Sequence, residues 1–251
     1  MLVNKMSRIM GRPKGWSALV VCVALLTCFS TSSRAVVTTN LTNGGTVNLS
    51  ALVSPNTLSV QVGDKLFSDF SFQYTDTDLN SGNDLKPSNL VLSALDNQVG
   101  FGFSLQLPLI ATGSTTKDVV LKFSVTVLDQ NELISDVHLG FTSDVSGHGI
   151  ATIAENIFTN GFGAGLIDTL KVKNPGTPTV FEDSAFFAIP QHEIWIQKDI
   201  LVDGNGFCPT TDWAHISIID QTISQMQVPE PSTMALSVVG LAMCLFVKRR
   251  R

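Results

Sequence analysis

The residues best suited to chemistry lie in one acidic stretch, DTDLNSGND, at residues 76–84. Asp76, Asp78, Asn80 and Asp84 place side-chain oxygens at short intervals along a loop. Calcium takes about six to eight such oxygens from a flexible chain, so the stretch is the best candidate for a calcium site. It is not an EF-hand, because Gly82 falls one place late. A solvated hairpin loop without metal is the favoured interpretation, and no cofactor other than calcium is considered.

A second short stretch, DGNG at residues 203–206, raises the same choice. Two glycines beside two oxygen-bearing side chains suit a tight turn, and they also suit a calcium loop. The turn is the favoured interpretation. The sequence does not tell whether the two loops meet in the fold.

The remaining polar residues do not form a catalytic pattern. The histidines, His138, His148, His192 and His215, are far apart and lack the close spacing of a zinc site. No GxSxG motif is present, and Cys208 has no adjacent base that could activate it. The sequence therefore predicts that the protein is not an enzyme.

Trp195 and Trp213 are the side chains on which a sugar ring could stack. Trp195 lies in EIWIQ between Ile194 and Ile196, and alternate residues of a strand take opposite faces. If the two isoleucines are core residues, Trp195 is exposed and can form a stacking platform. Otherwise Trp195 is itself a core residue, which is the commoner fate of tryptophan.

The elements that must position these residues are β-strands. Apolar residues alternate with polar ones in runs such as VGFGFSLQLPL and KDVVLKFSVTVLD, which is the pattern of strands with one buried face. Roughly ten such runs predict one all-β domain over residues 36–227, an antiparallel β-sandwich with jelly-roll or immunoglobulin-like connections. GIATIAENIF fits either a strand or a short helix. VVTTNLTNGGTV is expected to be partly disordered, and SQMQVPEPST to be a linker.

The charges of this domain limit its partners. Residues 36–227 contain seven lysines, no arginine and 20 acidic residues, which gives a net charge of −13. Such a surface repels phosphate backbones, so nucleic-acid binding is not predicted. The same residues include a single cysteine, Cys208, so an internal disulfide cannot form and the core must hold the domain together.

The two ends of the chain have the composition of export signals. Residues 1–35 combine four early cations, the apolar run ALVVCVALL and small residues up to Ala35, as in a cleaved signal peptide. Near the other end, residues 233–247 form an apolar run that as a helix would measure about 22 Å, against roughly 30 Å for the bilayer hydrocarbon. This run predicts a marginal transmembrane helix. The cations that follow predict a cytoplasmic stop-transfer signal: Lys248, Arg249, Arg250 and Arg251.

The order of VPEPST, an apolar helix and KRRR at the end resembles the PEP-CTERM sorting signal of bacterial exported proteins. The resemblance covers residues 228–251 and implies processing by an exosortase at or near Pro229, Glu230 and Pro231. It also implies the secretion machinery as a partner, transient residence in the inner membrane, delivery to the cell surface or medium, and association with extracellular polysaccharide. We therefore expect an exported, non-enzymatic surface or matrix protein. The alternative is a carbohydrate-binding module or weak glycan-active enzyme with the same sorting signal.

Overall fold

The structure is a computed structural model, and it describes residues 37–56, 58–77, 85–97, 100–175, 179–207 and 211–228. The strands are β1 (Thr38–Leu41), β2 (Thr46–Asn48), β3 (Ser59–Val62), β4 (Lys65–Asp76), β5 (Val91–Asn97), β6 (Gly100–Thr112), β7 (Thr116–Val127), β8 (Glu132–Ser146), β9 (Ile150–Phe158), β10 (Leu166–Asn174), β11 (Glu182–Gln191), β12 (Glu193–Asp203) and β13 (Trp213–Gln227). Two short 3-10 helices span Leu49–Ala51 and Pro87–Asn89. Within these ranges, no helix has the length and apolarity to cross a bilayer.

The strands form two sheets, which confirms the prediction of an all-β, sandwich-like fold. Sheet A has the order β1-β3-β4-β7-β12-β9-β10, and sheet B has the order β11-β8-β13-β6-β5-β2. The pairs are antiparallel apart from β1 and β3, which run parallel. From β6 to β13 the chain changes sheet at most connections, so strands adjacent in sequence often face each other across the interior.

Alternating apolar residues fill the space between the sheets. Phe67 and Phe123 project from sheet A and meet Phe103 from sheet B at ring-centroid distances of 5.4 and 5.2 Å. Both contacts are edge-to-face, the geometry that aromatic pairs prefer, and all three side chains are buried. This cluster joins the two sheets at their centre.

The structure resolves one ambiguous segment, and two segments differ from the sequence-based expectations. GIATIAENIF forms strand β9, which pairs with β12 and β10 and buries Ile153 and Ile157. VVTTNLTNGGTV contains β1 and β2, so it is not disordered over its described part. The expected linker is strand as far as Gln227, because β8 supplies a pairing partner for this part of β13. In each case backbone pairing with a neighbouring strand satisfies the polar groups of the main chain.

Candidate functional site

The folded sheet continues to the edge of the proposed sorting segment. Gln227 is paired with Glu132, and the Val228 backbone N–H donates to the carbonyl of Asn131 at 2.7 Å. The predicted processing residues Pro229, Glu230 and Pro231 follow at once and lie outside the described residues, as do residues 1–35, the predicted helix 233–247 and the cations 248–251. The described residues therefore extend to Val228, directly before the PEP tripeptide.

A polar cluster holds the strand that leads into this junction. Lys65, with no exposed surface, donates through Nζ to Asp64 Oδ1 at 2.6 Å, and Gln225 Nε2 donates to Glu132 Oε2. Burial lowers the pKa of Lys65, against the attraction of Asp64. Burial and the neighbouring Asp64 carboxylate raise the pKa of Glu132. The cluster connects β4, β8 and β13 where the chain leaves the sheet.

Trp195 lies on the outer face of sheet A. Ile194 and Ile196 are completely buried, so the condition under which the sequence places Trp195 outside the core is met. Its ring is partly exposed, between Ser124 of β7 and Phe158 of β9. A partly exposed tryptophan on a flat sheet face can stack on an apolar sugar surface.

Trp213 lies on the other side of the molecule. It is at the start of β13 in sheet B, between Thr112 and Ser146, and the following residue, Ala214, is completely buried. Trp213 is therefore on the outer face of sheet B. The structure does not bring the two tryptophans together, because the full thickness of the sandwich separates them.

Of the four candidate calcium ligands, only Asp76 falls in the described ranges. Asp76 ends β4, accepts a hydrogen bond from Tyr74 Oη at 2.8 Å and lies 3.4 Å from Lys117 Nζ. Asp78, Asn80 and Asp84 lie outside the described residues, so the calcium site stays a prediction. Within the described ranges, no group of three or more His, Cys, Asp or Glu residues is placed to hold a metal ion.

The DGNG segment is a packed turn. Asp203 Oδ1 accepts from the Asn205 backbone N–H at 2.8 Å and from Thr116 Oγ1 at 3.2 Å. Asn205 has a positive φ of 67°, and a Cβ on Gly204 would lie 2.2 Å from the carbonyl oxygen of Gly113. The glycine is required by this close backbone approach. These contacts fit the tight turn that the sequence favours.

His138 lies in a shallow groove on the outer face of sheet B. Its Nδ1 is 2.7 Å from Ser184 Oγ in β11, and its Nε2 is 2.9 Å from Asp136 Oδ1 in β8. These are the residue types of a nucleophile, base and carboxylate. The Ser184 backbone N–H is engaged by Asp183 Oδ1 at 2.9 Å, so it is not directed toward a developing oxyanion.

The groove has a volume of about 290 Å³ and an acidic rim. Glu182 and Asp220 stand on either side of Gly140, whose missing side chain leaves the floor open. Carboxylates and a serine hydroxyl can accept hydrogen bonds from a polar ligand. The sequence analysis did not identify this groove, because its residues come from separate strands that only the sheet order brings together.

A second polar cluster lies entirely inside the sandwich. Glu155 of β9, Lys198 of β12 and Gln221 of β13 each have no exposed surface. Lys198 Nζ donates to Glu155 Oε2 on the neighbouring strand and to Gln221 Oε1 across the interior. Burial raises the pKa of Glu155 and lowers the pKa of Lys198, and the attraction between the two groups opposes both changes.

The alternation of residues in the sequence indicates that the side chains of this interior cluster are buried. Each of its residues has an isoleucine two positions before it and another two positions after it, as in Ile153-x-Glu155-x-Ile157. Residues spaced by two lie on the same face of a strand, which here is the buried face. A charged or amide residue at such a position is directed into the core. Alternation could therefore have shown that these side chains are buried, but not that they meet.

Comparison with known proteins identifies the end of the chain. A family model described as the PEP-CTERM protein-sorting motif matches residues 227–251, so this motif is present and its prediction is confirmed. No curated protein matches the sequence. The motif begins at the last residue of β13.

Several solved structures show distant likeness. The Gap123 glycosylation-associated protein complex of Streptococcus agalactiae aligns at 10% identity and a TM-score of 0.29, covering 60% of this chain and 24% of that one. TmCBM61, solved with β-1,4-galactotriose, aligns at 12% identity and a TM-score of 0.27, covering 62% and 88%. The family 32 carbohydrate-binding module of C. perfringens NanJ, solved with galactose, aligns at 14% identity and a TM-score of 0.22, covering 60% of this chain and 93% of that one. At these TM-scores the likenesses carry no argument about fold or function.

Proposed function

We propose, from the premise that the chain ends in a PEP-CTERM protein-sorting motif, that this is an exported, non-enzymatic surface or matrix protein. The observation that carries the proposal is the match at residues 227–251, which begins at the last residue of β13. In this scheme an exosortase processes the chain at or near Pro229–Pro231. The apolar run 233–247 holds the chain in the membrane until then, and the terminal cations stop its transfer.

The position of the PEP tripeptide, directly after Val228, is compatible with release of a folded domain. Processing there would leave the described sheet pairing of β13 intact, because that pairing and the Val228 hydrogen bond both precede the PEP tripeptide. The acidic mature domain would then enter the medium or the cell surface without its membrane-spanning run. We propose extracellular polysaccharide as its setting.

The test is the intact mass and peptide map of the protein recovered from its native host. Loss of everything beyond the PEP region supports the proposal, whereas retention of Lys248–Arg251 in the mature protein contradicts it. A Glu230→Gln variant is expected to keep its tail. Glu182→Gln, which changes an exposed glutamate on β11, is the matched control and should be processed normally.

A second candidate function, glycan binding, is favoured by the partial exposure of Trp195 on the flat face of sheet A. We expect the mature protein to bind a sugar polymer on a glycan array and Trp195→Ala to weaken binding at least about tenfold, or about 1.4 kcal/mol. Trp213→Ala, on the opposite face, is the control. Binding that Trp195→Ala leaves unchanged, or no binding at all, argues against a stacking site at Trp195.

A further inference from the structure

The interior cluster of Glu155, Lys198 and Gln221 is the polar feature of the domain that the proposed function leaves unexplained. Burying a charged pair in an apolar core is costly, and apolar residues of similar volume are often at least as stabilising. Its side chains are surrounded by buried apolar neighbours on the paired strands, including Leu121, Leu139 and Leu170. Stability alone does not account for such an arrangement, whereas reactivity does.

We propose that Lys198 and Gln221 join in an intramolecular amide bond, with Glu155 transferring the protons. The Lys198 amine attacks Cδ of the Gln221 carboxamide, and a C–N bond forms. The bond from Cδ to Nε2 then breaks and ammonia leaves. The proton lost from Nζ reaches the departing nitrogen through the Glu155 carboxyl group. The reaction needs no oxidant, reductant or second substrate.

The contacts place each group for its step. Lys198 Nζ contacts Oε1 of Gln221, so the carbonyl carbon is one bond beyond that contact. A nucleophile held beside its electrophile in this way needs only a short movement to attack. Gln221 Nε2 donates to the carbonyl of His138 at 3.0 Å, which fixes the amide with its oxygen toward the lysine. Glu155 Oε2 contacts Nζ, while Oε1 is buried without a hydrogen-bond partner among the described residues.

The surroundings favour the reactive forms of both titratable groups. Burial lowers the pKa of Lys198 and so favours the neutral amine, which is the nucleophile. Burial also raises the pKa of Glu155 and so favours the carboxylic acid, which can donate a proton. The negative charge of Asp183 also raises the pKa of Glu155.

The chemistry of the amine, the amide and the carboxylic acid indicates which group is the electrophile and which transfers the proton. A carboxamide is an electrophile whose leaving group needs a proton, and Glu155 is the acid next to it. Were Glu155 itself the electrophile, water would be lost and no other acid within the cluster would assist, because Gln221 does not titrate. The amine, amide and acid therefore point to a bond between Lys198 and Gln221.

The bond would join the two sheets. Lys198 is in β12 of sheet A and Gln221 is in β13 of sheet B, and the two strands are consecutive in the chain. Residues 36–227 contain only one cysteine and so cannot form an internal disulfide. An amide at this point would close a loop and restrict the unfolded chain, as a disulfide does in other exported domains.

The test is intact mass spectrometry of the purified full chain under denaturing conditions, followed by peptide mapping. We expect a mass lower by one ammonia than that of the sequence as processed, trypsin resistance at Lys198, and a branched peptide that contains Lys198 and Gln221. Mapping distinguishes this product from ammonia lost elsewhere. Lys198→Met and Glu155→Gln should each have the full mass.

Lys65→Met is the matched control, because Lys65 is also fully buried but pairs with Asp64 and has no contact with Gln221. It should retain the ammonia deficit. A wild-type chain at full mass overturns the proposal, and so does loss of one water mapped to Lys198 and Glu155. Both outcomes are read from the wild-type protein, so they do not depend on whether the variants fold. Neither outcome depends on processing at the PEP motif, so the two proposals can fail separately.

Discussion

Asp118, beside Asp199, contributes to stability with a pH dependence opposite to that of a carboxylate in a salt bridge. The two aspartates are diagonal neighbours on the outer face of sheet A, where Asp118 pairs with Leu201 and Asp199 pairs with Val120. Burial and the adjacent Asp199 carboxylate raise the pKa of Asp118 from 3.8 to about 6. Between these values the folded state binds more protons than the unfolded state, so stability falls as pH rises.

The size of the effect follows from this pKa. The rise from 3.8 to about 6 corresponds to about 3 kcal/mol, at about 1.36 kcal/mol per pH unit. Asp118 is partly exposed, and solvent screening reduces the expected contribution to about 1 kcal/mol. Asp118→Asn keeps the shape of the side chain and removes its charge. The variant should therefore be about 1 kcal/mol more stable than wild type above pH 7, and equally stable below about pH 4.

Denaturant unfolding of both proteins from pH 3.5 to 8 measures this difference. Asp144→Asn, which changes an exposed aspartate in sheet B, is the control and should show no such trend. A stability difference between Asp118→Asn and wild type that is constant across the range would refute the reasoning, because it would mean that Asp118 does not change its protonation state in the way described.

Three further expectations concern the core, the strands and the metal. Phe123→Ala should lower the free energy of unfolding by about 3–5 kcal/mol, and a loss below about 1 kcal/mol contradicts the aromatic cluster as a structural centre. Gly102→Ala should cost more than about 1 kcal/mol, because its Cβ would lie 1.8 Å from the Gln221 carbonyl oxygen. Gly140→Ala, with no atom nearer than 3.8 Å, should stay within about 0.5 kcal/mol. Millimolar calcium should raise the melting temperature above that in EDTA, and Asp78→Asn should reduce the rise. An unchanged melting temperature would mean that the acidic loop is not a calcium site.

Alternation predicted the faces of the strands well. Ile194 and Ile196 point inward and Trp195 outward, as the period of two requires, and all five apolar residues of β7 in that phase are buried: Val119, Leu121, Phe123, Val125 and Val127. The prediction succeeded because successive side chains of a strand must take opposite faces, whichever strands lie beside it. Where side chains carried no alternation, as in VVTTNLTNGGTV, the strands were missed, since their pairing depends on backbone hydrogen bonds.

The sequence by itself determined the sorting motif, because a linear signal is read by residue order and needs no fold. It also determined the all-β class and which side chains face inward. The tertiary structure alone decided which inward side chains meet. Glu155, Lys198 and Gln221 are widely separated in the chain, and only the order of strands within sheet A and the packing of sheet B against it bring them into contact. Likewise, strand order placed Trp195 and Trp213 on opposite faces, because a local pattern fixes the side of a strand and carries no information about the sheet that the strand joins.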